Sequence, residues 1–142
     1  MLEPQLIFFS PAFYAHHARA RTESLCSGLP FPVLHVCGDT NRHLEELCRT
    51  PNVEGLSLDA AVDFAGALKK TPGLDAKTLM GNISPVDVLH RGTPGLVRDR
   101  VSALMESMEG RPFILSSGCD MVPDTPLDNM EAFMQTASDM RR

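Results

Sequence analysis

The chain has 142 residues, enough for one compact domain with a sizeable core. Its 43% hydrophobic and 22% charged residues are those of a soluble globular protein, and a net charge of −5 with no run of Lys or Arg argues against a nucleic-acid or acidic-membrane partner. No stretch approaches the roughly 20 apolar residues of a membrane helix. Met1-Leu2-Glu3-Pro4 lacks the basic region and cleavage site of a signal peptide, and four irregularly spaced cysteines read as reduced thiols, so the expected location is cytoplasmic.

Ser10-Pro11 opens a predicted helix running to about Cys26, with Ser at the cap and Pro at the first helical position. Pro30-Phe31-Pro32 ends it, and Val33 to Val36 is a short strand. Asn41 to Cys48 reads as a helix with Leu44, Leu47 and Cys48 on one face. Glu54 to Leu58 is a second strand, followed by a helix over Ala60 to Lys69 that buries Val62, Phe64, Ala65 and Leu68. Lys77 to Gly81 is a third strand. It leads into a short Ser84-Pro85 helix and a longer Thr93-Pro94 helix carrying Val97, Val101, Leu104, Met105 and Met108. Phe113 to Ser116 is the fourth strand, and Thr125-Pro126 caps a last helix with Leu127, Met130, Phe133, Met134 and Ala137 inward.

Four strand-then-helix units in succession imply a parallel sheet with right-handed crossovers. His35 and Cys37, Ser57 and Asp59, Asn82 and Ser84, and Ser117 and Cys119 all fall at or just after the C-terminal end of a strand. In (β/α) barrels that end carries the active site, but closure needs eight strands and roughly 250 residues. The chain therefore reads as α/β, a parallel (βα)4 half of a TIM-type (β/α)8 barrel, with residues 1–142 forming a single partial domain. An open flavodoxin-like sheet is the lesser reading, because the first turn has no Gly-rich phosphate loop. With strands apolar on both faces, an isolated half needs a partner half-barrel or a second copy of itself.

Two places carry the chemistry. His35-Val36-Cys37-Gly38 follows the apolar run Pro32-Val33-Leu34, and Ser117-Gly118-Cys119-Asp120 follows Pro112-Phe113-Ile114-Leu115. One imidazole and two thiols at strand ends can meet in a pocket, and that donor set suits zinc. Three protein ligands with an open fourth position make a catalytic site rather than a structural one. A lone His-x-Cys is weak evidence, since buried Cys usually acts as a small hydrophobe, but Cys119 at an equivalent strand end strengthens it. Asp59 and Asn82 either meet substrate or cap the next helix. Asp39 and Asp120, beside the ligands, are candidates to orient His35 or tune local charge. Cys26, Cys48 and the methionines read as packing. His16 and His17 are adjacent, point to different faces and make a poor chelate. His90 reads as an ordinary helix residue, and so does His43, although it lies close to the first motif.

His35-Val36-Cys37-Gly38-Asp39-Thr40, Leu56-Ser57-Leu58-Asp59, Gly81-Asn82-Ile83-Ser84-Pro85 and Ser116-Ser117-Gly118-Cys119-Asp120 occur in order, followed by Pro123-Asp124-Thr125-Pro126-Leu127-Asp128-Asn129. Together they resemble the C-terminal half of the uroporphyrinogen decarboxylase superfamily, from about Glu3 onward. The resemblance implies a (β/α)8 barrel whose N-terminal half is absent here. Decarboxylases of that superfamily need no metal and carry Gly-His where this chain has Gly118-Cys119. The methylcobalamin-dependent thiol methyltransferases instead carry a His-x-Cys pair and a distant Cys that bind zinc, and His35, Cys37 and Cys119 are similar to that set.

The resemblance thus implies a zinc-dependent protein moving a methyl group between a corrinoid and a thiol such as coenzyme M, with a small-molecule thiol or a corrinoid protein as partner. Tetrapyrrole decarboxylation is the alternative. A non-catalytic remnant, or a subunit that completes a barrel with a partner, is the third reading, since the half barrel alone need not be active.

Overall fold

The computed structural model describes residues 5–140, so the reading of Met1-Leu2-Glu3-Pro4 lies outside the described residues. In chain order come α1 (Pro11–Phe13), a π-helical turn (Tyr14–Ala18), α2 (Arg19–Cys26), β1 (Val33–Val36), α3 (Leu44–Cys48), β2 (Gly55–Leu58) and α4 (Phe64–Lys70). Then follow β3 (Thr78–Ile83), a second π-helical turn (Pro85–His90), α5 (Pro94–Ser107), β4 (Phe113–Ser117) and α6 (Leu127–Asp139). The strands form one sheet in the order β1-β2-β3-β4, and each neighbouring pair is parallel, as the alternating pattern required. Among the described residues no helix is long and apolar enough to cross a membrane.

Register decides which residues share a face, because side chains alternate along a strand. Leu34, Leu56, Leu79 and Phe113 form one cross-strand row, and His35, Ser57, Met80 and Ile114 form the next. The first row, with Val36, Leu58, Ile83 and Leu115, lies beneath Tyr14, Cys26, Leu44, Leu47, Phe64 and Ala67 at one end and Val97, Val101 and Ala132 at the other. All the helices therefore cover one face. Leu34, Leu56 and Leu58 are fully buried there, each worth roughly 1.5–3 kcal/mol relative to exposure.

The opposite face carries His35, Ser57, Thr78, Asn82 and Ser116 besides Val33, Met80 and Ile114. This corrects the expectation of strands apolar on both faces. Val33, Met80 and Ile114 make the strand segments look continuously apolar, and only the register separates a Leu/Val face from a mixed one.

Local boundaries follow from side-chain caps. Ser10, Ser84 and Thr93 each accept a hydrogen bond from the backbone N–H three residues on, at 3.1, 3.0 and 3.3 Å. The helix expected from Ala60 begins only at Phe64. Asp59 Oδ1 accepts from the Ala61 N–H at 3.1 Å and holds residues 59–62 in a turn. Thr125 does not cap the last helix either. Its hydroxyl donates to the Val122 carbonyl.

The face of α6 is also corrected. Asn129, Ala132 and Thr136 are buried, while Leu127 and Met134 are 65% and 66% exposed. Met130, Phe133 and Met134 of that helix line a cleft with Leu115 and Met121 beside β4, which the periodicity of one helix cannot reveal.

Candidate metal centre

His35 is the third residue of β1 and Cys37 follows its last, a spacing of two that carries both side chains to the open face. Gly38, at φ +74°, then turns the chain away in a conformation other residues adopt only with strain. Cys119 arrives from the loop after β4, at the far edge of the sheet. In a flat sheet three strand spacings would hold β1 and β4 about 14 Å apart. Yet Cys37 Sγ and Cys119 Sγ are 3.4 Å apart, so the sheet curls and its end loops lean together. Gly118 permits this. A Cβ there would lie 2.6 Å from the Ala60 backbone nitrogen, so only glycine lets the β4 loop rest on the β2 loop.

His35 Nε2 lies 3.2 Å from Cys37 Sγ and 3.8 Å from Cys119 Sγ, which completes a triangle of donors. A tetrahedral zinc with Zn–S near 2.3 Å and Zn–N near 2.0–2.1 Å spaces its ligands about 3.5–3.8 Å apart. The three half-buried donors thus stand within a few tenths of an ångström of that spacing, and the residues fit the metal that their chemistry suggests. The charge balance agrees. Burial pushes the Cys37 thiol up to about 11, helped by the hydrogen bond and charge of Cys119 and by the carboxylates of Asp59 and Asp120. A site that accumulates negative charge in this way is one that a dication relieves.

Ser57 is the residue that reading the sequence did not single out as a neighbour of His35. It pairs with His35 in register and its hydroxyl lies 2.9 Å from His35 Nδ1. With Ser57 accepting the Nδ1–H, the Nε2 lone pair faces the two sulfurs. The signal was present: in Leu56-Ser57-Leu58 the serine alternates with two core leucines and must point to the same side as His35. Asp39 Oδ1 instead accepts from the Asn41 N–H and side-chain amide at 3.1 and 2.8 Å, which holds its carboxyl below the usual range. Asn82 Nδ2 donates to the carbonyls of Asp59 and Val62 at 3.2 and 2.5 Å, so both Asp59 and Asn82 help shape the β2 loop.

Other candidates separate cleanly from the triangle. Cys26 is buried in the core, and Cys48 is half-buried, its thiol raised to about 11 by burial. His43 is fully buried and donates from Nε2 to the Phe9 carbonyl at 2.9 Å. His16 and His17 stack edge to face with each other.

The sequence profile described as Uroporphyrinogen decarboxylase (URO-D) matches residues 8–140. The chain belongs to this family. It is 32% identical over 109 residues to the methylcobamide:CoM methyltransferase MtbA of Methanosarcina acetivorans, covering 77% of this chain and 30% of that protein. To the methylcobamide:CoM methyltransferase MtaA of Methanosarcina barkeri it is 33% identical over 128 residues, 88% of this chain and 36% of the other. A uroporphyrinogen decarboxylase of Prochlorococcus marinus is 32% identical over 108 residues, 76% and 29% respectively. The solved structure of a methyltransferase from Methanosarcina mazei superposes with a TM-score of 0.86 at 25% identity, over 100% of this chain and 42% of that one.

The chain spans about a third of the length of the curated relatives it matches. Its fold is the parallel (βα)4 half of a TIM-type (β/α)8 barrel. Methyltransferases and decarboxylases stand at nearly equal identity, so overall similarity does not choose between their activities.

Proposed function

We propose that residues 1–142 form one partial domain carrying the metal end of a zinc-dependent methyltransferase, which moves a methyl group between a corrinoid such as methylcobalamin and a thiol. The observation that carries this reading is the donor triangle of His35 Nε2, Cys37 Sγ and Cys119 Sγ, with edges of 3.2, 3.4 and 3.8 Å. The names of MtbA and MtaA, which belong to methylcobamide:CoM methyltransferases, point the same way.

When bound, zinc supplies the charge that lowers the pKa of a substrate thiol and keeps it as a thiolate. His35, Cys37 and Cys119 would hold it at the end of the sheet, on the face away from the helices. Ser57 keeps the imidazole turned so that Nε2 faces the metal. Asp59 and Asn82, which shape the loop after β2, are assigned to substrate contact, while Asp39 and Asp120 tune charge around the ligands. A corrinoid, when bound, would supply the methyl group for a thiol held at His35, Cys37 and Cys119. Tetrapyrrole decarboxylation fits less well, because Cys119 stands where the decarboxylase pattern has His.

Elemental analysis of reduced protein tests the metal, comparing wild type with Cys37→Ser and Cys119→Ser. The expected result is near-stoichiometric zinc in the wild type and its loss in both variants. Zinc absent from the wild type, or retained equally by all three, rejects the reading.

A further inference from the structure

Two corners of the donor triangle are thiols in contact. Cys37 Sγ and Cys119 Sγ are 3.4 Å apart, although the residues lie 82 positions apart in the sequence. The backbone holds them there. Cys37 follows directly on β1, and Gly118, whose N–H donates to the Ile83 carbonyl at 2.8 Å, rests on Asp59 and Ala60 and delivers Cys119. A disulfide sulfur–sulfur bond of about 2.05 Å is reached from this contact by turning the two side chains, with no strand displaced.

The other cysteines are placed differently. Cys26 is buried in the core beneath the helices and Cys48 packs against that core, so neither lies on the face that carries the pair. Cys37 and Cys119 are both half-buried, which admits a small molecule. The carboxylates of Asp59 and Asp120 act on Cys37, and the whole chain has a net charge of −5. Anionic oxidants such as glutathione disulfide are repelled by such surroundings, whereas a small uncharged peroxide is not.

We infer that Cys37 and Cys119 are also a redox site, a dithiol that hydrogen peroxide converts to an intramolecular disulfide in competition with metal binding. One sulfur attacks a peroxide oxygen. A sulfur–oxygen bond forms, the oxygen–oxygen bond breaks, and the departing hydroxide takes the thiol proton and leaves as water. The second sulfur attacks the sulfenic acid so formed. The sulfur–sulfur bond forms, the sulfur–oxygen bond breaks, and the second thiol proton leaves with that oxygen as another water. The two thiols thus give up two electrons and two protons, and peroxide is reduced to two waters. A second thiol already in contact intercepts the sulfenic acid before further oxidation. The disulfide has no thiolate left to offer a metal, so only His35 of the three ligands remains. The disulfide rests on the sulfur geometry alone, and the competition rests also on the zinc reading.

The test treats the full chain, reduced and stripped by chelator, with an equivalent of hydrogen peroxide, then alkylates it and maps the peptides. The expected result is a mass lower by two hydrogens, a cross-linked peptide joining Cys37 to Cys119, and alkyl groups on Cys26 and Cys48. Cys37→Ser should stop at a sulfenic acid on Cys119 that dimedone captures. Separate oxidation of the two sulfurs to sulfinic acids overturns the redox site, as does pairing of either with Cys26, Cys48 or a second chain. Loading the chain with zinc first should slow disulfide formation about tenfold or more, and a colorimetric chelator should then register one zinc released per disulfide. Zinc that stays on the oxidised chain overturns the competition. A chain that takes up no zinc and still forms the disulfide fails the metal reading and upholds the redox site.

Discussion

His35 Nδ1 and Ser57 Oγ, 2.9 Å apart on neighbouring strands, form the contact that decides which ring nitrogen faces the two thiols. Ser57 is buried, so no bulk water stands ready to replace its hydroxyl. Ser57→Ala should weaken zinc binding about 10–100-fold while leaving the fold intact, in line with the loss of an outer partner to a metal-bound histidine. Ser57→Thr, which keeps the hydroxyl, should recover most of that affinity. Chelator competition reads the affinity, and Co(II) absorption reports whether the ligand set is unchanged. Equal affinity in Ser57→Ala and wild type removes Ser57 from the site.

The two faces of the sheet predict opposite responses to truncation. Leu56 is fully buried on a central strand and packs under helices, so Leu56→Ala should cost about 2–5 kcal/mol through lost transfer energy and the cavity left behind. Met134, 66% exposed on α6, should tolerate Ala to within about 0.5 kcal/mol. Urea unfolding of the two variants checks the contrast, and a large loss from Met134→Ala would show that α6 is oriented differently.

His43 predicts a pH dependence of stability. Its side chain is fully buried, Nε2 donates to the Phe9 carbonyl, and Nδ1 is buried with no hydrogen-bond partner among the described residues. Burial therefore lowers its pKa below the ordinary histidine value of 6.5. A depressed pKa means the unfolded chain binds the proton more tightly, so the contribution is present above about pH 6.5 and is lost as pH falls below it. Melting temperature should drop between pH 7 and 5, and His43→Gln should flatten that slope. An equally steep slope in the variant would shift the cause to other groups.

The sequence made the sheet order legible because each strand ends in a turn and is followed by a helical period. It also made His35, Cys37 and Cys119 legible as strand-end residues, since their chemistry is distinctive even without coordinates. Ser57 was harder to single out, because a serine in a strand becomes a histidine's partner only once the register is known. Periodicity turns the stripe of Leu127, Met130 and Met134 inward, because it gives the width of an apolar face but not what lies against it. The boundary at Phe64 moved for a local reason, the Asp59 side chain closing a turn where helix was expected.

Asn129 closes the motif at residues 123–129, and its side chain is spent inside the fold. The residue is 1% exposed and its Nδ2 donates to the carbonyls of Leu89 and Gly92, both at 2.9 Å. It thus ties α6 to the end of the π-helical turn over Pro85–His90 and to the loop entering α5. Asn129→Leu keeps the volume but leaves two buried carbonyls without their donor, at about 1–3 kcal/mol each. The expected loss is therefore about 2–6 kcal/mol, larger than for most single substitutions, with faster hydrogen exchange confined to residues 85–96 and α6. Zinc affinity should change little, because neither tie touches His35, Cys37 or Cys119. A variant as stable as wild type would mean that water satisfies both carbonyls and that α6 is held by Ala132 and its apolar neighbours instead.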